Sequence, residues 1–306
     1  MNVTPVPGPP ATPGAPATPG ARLRAVLGPP ADLPGRSSVP GVLGLASALQ
    51  AQLAELCGCR IGFVGTALTV RNYLALPDTG VASSTECLQI GGVIARSVSF
   101  PVILDGDTGH GGPDAVRRLV AESIREGLAG LRLDDQPLES KLPTQSAGIE
   151  VVSREDAVLR YRTAVAARDA IDPSFVIMAQ CFARGAVGNA AGGGVEDAAE
   201  RAALYARAAG VDWVQVEGLH DAGEVARVGR DVPGWFSATL KGAFLSEQEN
   251  LNLGLAAAWH TLVPVLALQS AAYEFLQEYN KRGIDAWSDY RAAHADSFAA
   301  IANLGR

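Results

Sequence analysis

Short apolar, β-branched runs alternate with Ala-rich segments of helical period from about residue 39 onward. Eight of these runs have the length and composition of β-strands. The predicted strands span residues 39–42, 61–65, 101–105, 130–134, 175–179, 213–217, 235–238 and 255–259. The predicted helices between them span residues 46–57, 85–97, 113–126, 153–170, 195–209 and 221–228. This βαβα order predicts an α/β protein whose parallel strands close into a (β/α)8 TIM barrel.

The beginning of the chain lacks this alternation. Its first twenty residues contain seven prolines among Ala, Gly and Thr and carry no charge. Residues 1–22 are therefore predicted to be a disordered tail, and residues 23–306 a single barrel domain with C-terminal helices. Prolines also interrupt the apolar block that a secretory signal needs, so no export is expected. The uncharged segment 250–273 contains His260, Pro264 and Gln269, which favours a buried strand and a buried helix over a membrane span.

Charge and cysteine content exclude several classes of protein. The formal net charge is -7, and Lys and Arg are scattered along the chain, so no electrostatic footprint for nucleic acid or an anionic membrane is present. Four cysteines in 306 residues do not make a disulfide framework. We therefore expect reduced thiols and a cytoplasmic enzyme that binds neither nucleic acid nor membrane.

Carboxylates follow several of the predicted strands. Asp105 and Asp107 come at and just after the end of the third strand, Asp134 ends the fourth, Glu217 ends the sixth, and Asp78 lies in the loop after the second. The C-terminal ends of barrel strands meet at one face, where carboxylates repel each other unless a cation joins them. A single Asp at such a position can also serve as a helix N-cap. For the whole set we predict a divalent cation with oxygen ligands, Mg2+, with Mn2+ as an alternative.

Three sequence motifs resemble those of a known superfamily. They are Leu-Pro-Asp-Thr-Gly at 76–80, Asp-Gly-Asp-Thr-Gly-His-Gly at 105–111, and Leu-Asp-Asp-Gln at 133–136 followed by Lys141. Over residues 40–277 the chain resembles the isocitrate lyase and phosphoenolpyruvate mutase superfamily. The resemblance implies a (β/α)8 barrel, usually tetrameric with the last helix swapped between subunits. It also implies a Mg2+-dependent reaction of a 2-oxo acid or its enolate.

The resemblance assigns metal-binding roles to four acids. Asp105 is similar to the direct metal ligand of the superfamily, and Asp78, Asp107 and Asp134 resemble the acids that act through metal-bound water. Asp134 stands where the superfamily usually has Glu, so its shorter side chain changes the expected water positions.

The resemblance also indicates residues that contact substrate. The backbone N–H groups of Thr66 and Ala67 match the pair that binds the substrate carboxylate and the enolate oxygen. Gln180 replaces the arginine that clamps a second carboxylate or a phosphonate, and Arg184 is the residue that could compensate for it. Thr239 is expected either in the substrate pocket or at a helix start.

Lys141, Glu217 and Asp78 are the catalytic candidates implied by the resemblance. The C–C lyases carry a Lys-x-Cys-Gly-His loop whose cysteine is the proposed general acid, whereas this chain reads Lys-Leu-Pro-Thr-Gln-Ser-Ala-Gly at 141–148 and lacks that cysteine. Lys141 matches the loop lysine only if one residue is inserted before it, and the alternative is an ordinary exposed lysine. Glu217 matches the glutamate of the C–C lyases rather than the histidine of the C–P enzymes.

These features together predict a Mg2+-dependent C–C bond lyase. The expected substrate is a small 2-hydroxy or 2-oxo carboxylic acid related to 2-alkylmalates, cleaved through an enolate, and the expected assembly is a homo-oligomer, a dimer or a tetramer. Two alternatives stay open. One is a C–P bond enzyme, similar to phosphonopyruvate hydrolase or phosphoenolpyruvate mutase, and the other is a barrel that binds oxo acids without turnover.

Overall fold

Eight parallel strands form the barrel in a computed structural model that describes residues 17–33, 35–187, 193–302 and 304. The strands are β1 Gly41–Gly44, β2 Ile61–Val64, β3 Val102–Asp105, β4 Gly130–Asp134, β5 Val176–Cys181, β6 Trp213–Leu219, β7 Trp235–Leu240 and β8 Ala258–His260. Each strand from β1 to β6 pairs with the next one in the chain, and β8 pairs with β1. The predicted strands and the (β/α)8 barrel are confirmed.

The barrel closes between β7 and β8 through a few bonds rather than a regular ladder. Ala256 N–H donates to Phe236 O at 2.7 Å, just before β8 begins. The Ser237 hydroxyl on β7 donates to Ala257 O at 2.9 Å and accepts from Trp213 Nε1 at 3.2 Å. A buried serine thus supplies the bonds that a longer β8 would have made.

Helices surround the strands. They are α1 Pro19–Leu27, α2 Ala48–Leu56, α3 Thr66–Thr69, α4 Ser84–Arg96, α5 Pro113–Arg125, α6 Arg154–Asp169, α7 Val195–Leu204, α8 Ala222–Gly229, α9 Glu247–Asn252, α10 Val263–Arg282, α11 Ile284–Ala293 and α12 Ala295–Ile301. All six helices predicted between strands are present, although residues Tyr205–Ala209 at the end of the fifth form a π-helix. Helix α6 begins after Ser153, whose hydroxyl accepts from Asp156 N–H at 3.0 Å.

Helix α1 covers the N-terminal end of the barrel. It begins at Pro19, inside the segment predicted to be tail, because the Thr18 hydroxyl accepts from Ala21 N–H at 3.2 Å and caps it. Leu23 and Leu27 are fully buried in a core cluster with Trp213 and other side chains of the barrel interior. Residues 19–22 therefore belong to the barrel domain, and residues 1–16 of the predicted tail lie outside the described residues.

Helix α10 is much less buried than the sequence predicted. The strand half of segment 250–273 is buried as expected, from Leu255 to Trp259. On α10, however, Val265 alone is buried, and apolar side chains such as Leu268 and Leu276 are about half exposed. The helix leaves the barrel after β8, so little of its surface lies against the same chain. No helix in the described part of the chain is long and apolar enough to cross a membrane.

Candidate active site

A cavity of about 680 Å³ lies at the C-terminal ends of the strands, where barrel enzymes bind their substrates. Its lining combines polar and apolar side chains. The polar residues include Asp78, Asp105, Arg132, Gln180, Gln215, Glu217 and Thr239. The apolar residues include Phe63, Leu68, Leu240, Phe244, Trp259, Leu262 and Leu266. Such a cavity suits a small molecule with a charged head and an apolar substituent.

Asp105 ends β3 and holds fixed partners on one oxygen. Its Oδ2 accepts from the backbone N–H of Thr66 at 3.1 Å and from Nη2 of Arg132 at 3.0 Å. Burial alone would raise the pKa of Asp105, but Arg132, Lys141 and the Thr66 N–H hold it below its ordinary value. Among the described residues, the one hydrogen-bond contact of Oδ1 is a long one of 3.4 Å with Asp107 N–H. Asp105 is thus an ionised carboxylate whose Oδ1 can bind a further partner.

Lys141 connects two other acids of the cluster. Its Nζ lies 2.5 Å from Asp78 Oδ1 and 2.7 Å from Asp107 Oδ1, and the lysine side chain is only 4% exposed. Burial lowers the pKa of Lys141, but the two carboxylates outweigh burial and raise it above its ordinary value. The alternative of an ordinary exposed lysine is wrong, because this charge is buried against two carboxylates.

The environment of Asp107 and Asp134 disfavours their ionised forms. Burial, together with the charges of Asp105 and Asp78, raises the pKa of Asp107 against the opposing effect of Lys141, and the net result is about 6. Burial and Asp107 likewise raise the pKa of Asp134 well above its ordinary value. Asp107 Oδ2 is buried with no hydrogen-bond partner among the described residues. An additional cation would relieve both carboxylates.

The acid cluster fits a hard divalent cation that keeps part of its water shell. No three His, Cys, Asp or Glu side chains in the described ranges converge closely enough to bind one metal ion directly. Asp105 Oδ1 and the unpartnered Asp107 Oδ2 are nevertheless available oxygens in a buried, negatively charged region. Mg2+ typically takes one or two carboxylates and several waters, so these residues suit it.

Glu217 also lines the cavity and accepts three hydrogen bonds. Its Oε1 accepts from Gln180 Nε2 at 2.6 Å and from Gln215 Nε2 at 2.9 Å. Its Oε2 accepts from the hydroxyl of Thr239. These donors are all neutral, so the carboxylate is fixed in place without an ion pair.

Two of the predicted substrate contacts are placed differently from the expectation. Arg184 is not brought to the cavity, because its guanidinium is held by both oxygens of Glu224 at 2.7 and 2.8 Å. The Thr66 N–H is occupied by Asp105, whereas Ala67 lines the cavity. The loop after Lys141 also reaches the cavity, through Thr144 and Gln145.

The sequence prediction missed Arg132 and Gln215. Arg132 lies two residues before Asp134 on β4, so both side chains point to the barrel interior. Its Nη1 donates to Gln215 Oε1 at 3.1 Å, and its guanidinium lies 4.3 Å from the ring centre of Phe63. A basic residue between the apolar residues Leu131 and Leu133 of β4 was the available signal.

The fold and the cavity define a (β/α)8 barrel with a carboxylate cluster at its C-terminal mouth. The chain belongs to the phosphoenolpyruvate phosphomutase family, whose model matches residues 46–276. It is 32% identical over 194 residues to 2,3-dimethylmalate lyase of Eubacterium barkeri, a match that covers 62% of this chain and 63% of the relative. The chain thus matches slightly less than two thirds of that relative's length.

Solved structures share the fold. Oxaloacetate acetylhydrolase in complex with 3,3-difluorooxalacetate superposes with a TM-score of 0.77 at 24% identity, covering 92% of this chain and 97% of that one. Phosphonopyruvate hydrolase in complex with oxalate and Mg2+ superposes with a TM-score of 0.73 at 23% identity, covering 92% and 99%. The superfamily resemblance noted from the motifs is confirmed.

Proposed function

We propose that this protein is a Mg2+-dependent C–C bond lyase that acts on a small 2-hydroxy acid of the 2-alkylmalate type. It cleaves this substrate through an enolate into a 2-oxo acid and a second carboxylate. The observation that carries the proposal is the buried cluster of Asp78, Asp105, Asp107 and Asp134 beside a cavity lined by both polar and apolar side chains. Similarity to 2,3-dimethylmalate lyase supports the same class of substrate.

Asp105 would bind Mg2+ directly, and Asp78, Asp107 and Asp134 would bind it through water. The short side chain of Asp134, fixed by the Gln136 N–H at 3.0 Å, is consistent with a water-mediated role. Bound there, Mg2+ supplies positive charge beside the oxygens that become negative during cleavage. Lys141 holds Asp78 and Asp107 in position for this role.

Cleavage needs a group that accepts the proton of the substrate 2-hydroxyl. Glu217 is our candidate, since Gln180, Gln215 and Thr239 orient it without neutralising its charge. As the hydroxyl loses its proton and becomes the carbonyl of the 2-oxo acid, the electron pair of the C2–C3 bond moves onto C3 and its carboxylate. The resulting enolate then takes up one proton at C3, which balances the proton that Glu217 accepted, so the two products together have the atoms of the substrate. The Ala67 N–H is the backbone donor proposed to bind a substrate oxygen.

Product analysis tests the proposed function. Purified protein with Mg2+ and a panel of 2-alkylmalates, oxaloacetate and phosphonopyruvate is followed by proton and phosphorus NMR. We expect a 2-oxo acid and a second carboxylate from at least one alkylmalate, and no product when Mg2+ is chelated. Phosphate release from phosphonopyruvate would instead assign C–P chemistry. Tight Mg2+ and oxalate binding without turnover of any compound would indicate a non-catalytic barrel.

We also propose that the protein forms a homo-oligomer, a dimer or a tetramer, through its C-terminal helices, with the last helix swapped between subunits. The apolar side chains of α10 support this proposal. Leu268, Tyr273 and Leu276 are 47 to 63% exposed in the single chain, an arrangement that a second copy would cover.

A charge on α10 should break this assembly. We expect Leu276→Glu to shift the protein to monomers in sedimentation velocity, because a buried carboxylate without a partner costs several kcal/mol. The matched control Gln277→Glu adds the same charge at the next, polar position and should leave the oligomer intact. A wild-type protein that sediments as a monomer would contradict the proposal.

A further inference from the structure

Arg132 is a buried cation in the lining of the cavity. It comes from the middle of β4, lines the cavity and is 7% exposed. The rings of Phe63 and Trp259, whose centres lie 4.3 and 5.4 Å from its guanidinium carbon, restrict its orientation. Such a side chain is rigid and already desolvated before any ligand binds.

The guanidinium has more donors than partners. Of its five N–H groups, one bonds to Asp105 Oδ2 at 3.0 Å and one to Gln215 Oε1 at 3.1 Å. Nε is buried and has no hydrogen-bond partner within the described ranges. Its carboxylate partner, Asp105, is shared with the Thr66 N–H. A buried arginine with spare donors in a cavity is a site for an anion.

The other positively charged or amide groups near the cavity are less suited to this role. Lys141 is engaged by two carboxylates, so its charge is already compensated. Arg71 lies at the exposed rim. Gln180 is neutral and donates to Glu217 at 2.6 Å.

We propose that Arg132 binds the substrate carboxylate adjacent to the reacting carbon. This inference rests on the proposed function and specifies how its substrate is recognised. Because Nη2 lies 3.0 Å from Asp105, an anion bound by the spare donors lies beside the metal-binding carboxylate rather than at the far end of the cavity. Apolar residues of the cavity lining, among them Leu240, Phe244 and Leu262, are then available to the rest of the substrate. The substrate class is a 2-hydroxy or 2-oxo acid whose other substituents include an alkyl group.

A different role for Arg132 would be to orient Asp105 without touching substrate. The two roles predict opposite effects on metal binding. If Arg132 only positions Asp105, its removal weakens metal binding, and ligand binding falls with it. If Arg132 binds the carboxylate, its removal takes a cation away from Asp105, so metal binding stays equal or tightens while the ligand is lost.

Binding of Mn2+ and oxalate distinguishes these roles without requiring turnover. Mn2+ affinity is measured by electron paramagnetic resonance, and oxalate affinity by calorimetry at saturating Mn2+. In Arg132→Gln we expect unchanged or tighter Mn2+ binding and an oxalate affinity lower by about 100-fold or more. In Arg132→Lys, which keeps the charge but not the planar fork, we expect a loss of about tenfold. Arg184→Gln, an arginine outside the cavity, is the matched control and should keep both affinities.

Each result decides between the roles. An oxalate affinity that changes less than about threefold in both Arg132 variants, or that falls only in step with Mn2+ affinity, overturns this inference and leaves the proposed function standing. Wild-type protein that binds Mn2+ but no oxalate overturns both. Thermal unfolding shows whether the Arg132→Gln protein is misfolded. If it is, the Mn2+ and oxalate affinities of Arg132→Lys decide between the two roles.

Discussion

Asp105→Ala is expected to lower the rate of alkylmalate cleavage by about 10³-fold or more and to abolish Mg2+ binding at micromolar concentration. Asp105 is the carboxylate whose Oδ1 is left available beside the cavity, and we propose it as the direct ligand. The substitution also leaves the buried guanidinium of Arg132 without its ion-pair partner, 3.0 Å away. Initial rates by proton NMR and Mg2+ titration by calorimetry measure the two effects.

An acid elsewhere in the barrel serves as the control for this substitution. Asp114 lies in the first turn of α5, and its side chain is 99% exposed and pairs with Arg117. We expect Asp114→Ala to keep the wild-type rate and Mg2+ affinity, because exposed pairs contribute little. A rate in Asp105→Ala within tenfold of wild type would show that the metal ligand has been assigned wrongly.

Lys141→Met is expected to lower both activity and stability. Removing the ammonium leaves Asp78 and Asp107 buried without the cation that lies 2.5 and 2.7 Å from them. Breaking a buried ion pair in this way typically costs about 3–5 kcal/mol of unfolding free energy. We expect cleavage to slow by about 10²-fold or more, since the two acids repel each other out of position.

The stability loss in Lys141→Met should depend on pH with a defined sign. Even with Lys141 present, the pKa of Asp107 is raised to about 6 by burial, against the lowering effect of the lysine. Without the lysine, the pKa of Asp107 in the folded state rises further above its value in the unfolded state. The loss of unfolding free energy is therefore complete above the folded-state pKa and disappears as the pH falls and the carboxylate is protonated, so it should be larger at pH 8 than at pH 5. Urea unfolding at pH 5 and pH 8, with the exposed Lys281→Met as control, measures the difference. An equal loss at both pH values would contradict the account.

The eight strands could be predicted because each is a short apolar run, most of them rich in β-branched residues, and most are followed by a helical segment. Helix α1 was missed because its first residues share the proline-rich composition of the preceding segment, although Pro19 suits a helix start. Helix α9 is short, and its capping box of Ser246 and Glu249 was the available signal. The exposure of α10 could not be predicted from its composition. An apolar helix buried in its own domain and an apolar helix in an interface between chains have similar amino-acid compositions.

The placement of the acids could be predicted because they come at or near the ends of strands, whose position in a barrel is fixed, and their roles stay a proposal. The partners of those acids depend on side-chain geometry that no sequence motif gives. Arg132 lies inside a strand and reaches Asp105 only because β3 and β4 are neighbours in the barrel. Arg184 looked suitable beside the fifth strand, but Glu224 at the start of α8 holds it away from the cavity.

The central claim is that a divalent cation held by Asp105 makes this cavity the active site. The most direct measurement is anomalous diffraction from crystals grown with Mn2+ and oxalate. We expect one strong manganese peak in contact with Asp105 and with oxalate, on the side of the acid cluster that includes Asp107. A manganese peak elsewhere, or none at the cluster when oxalate is bound in the cavity, would contradict the account.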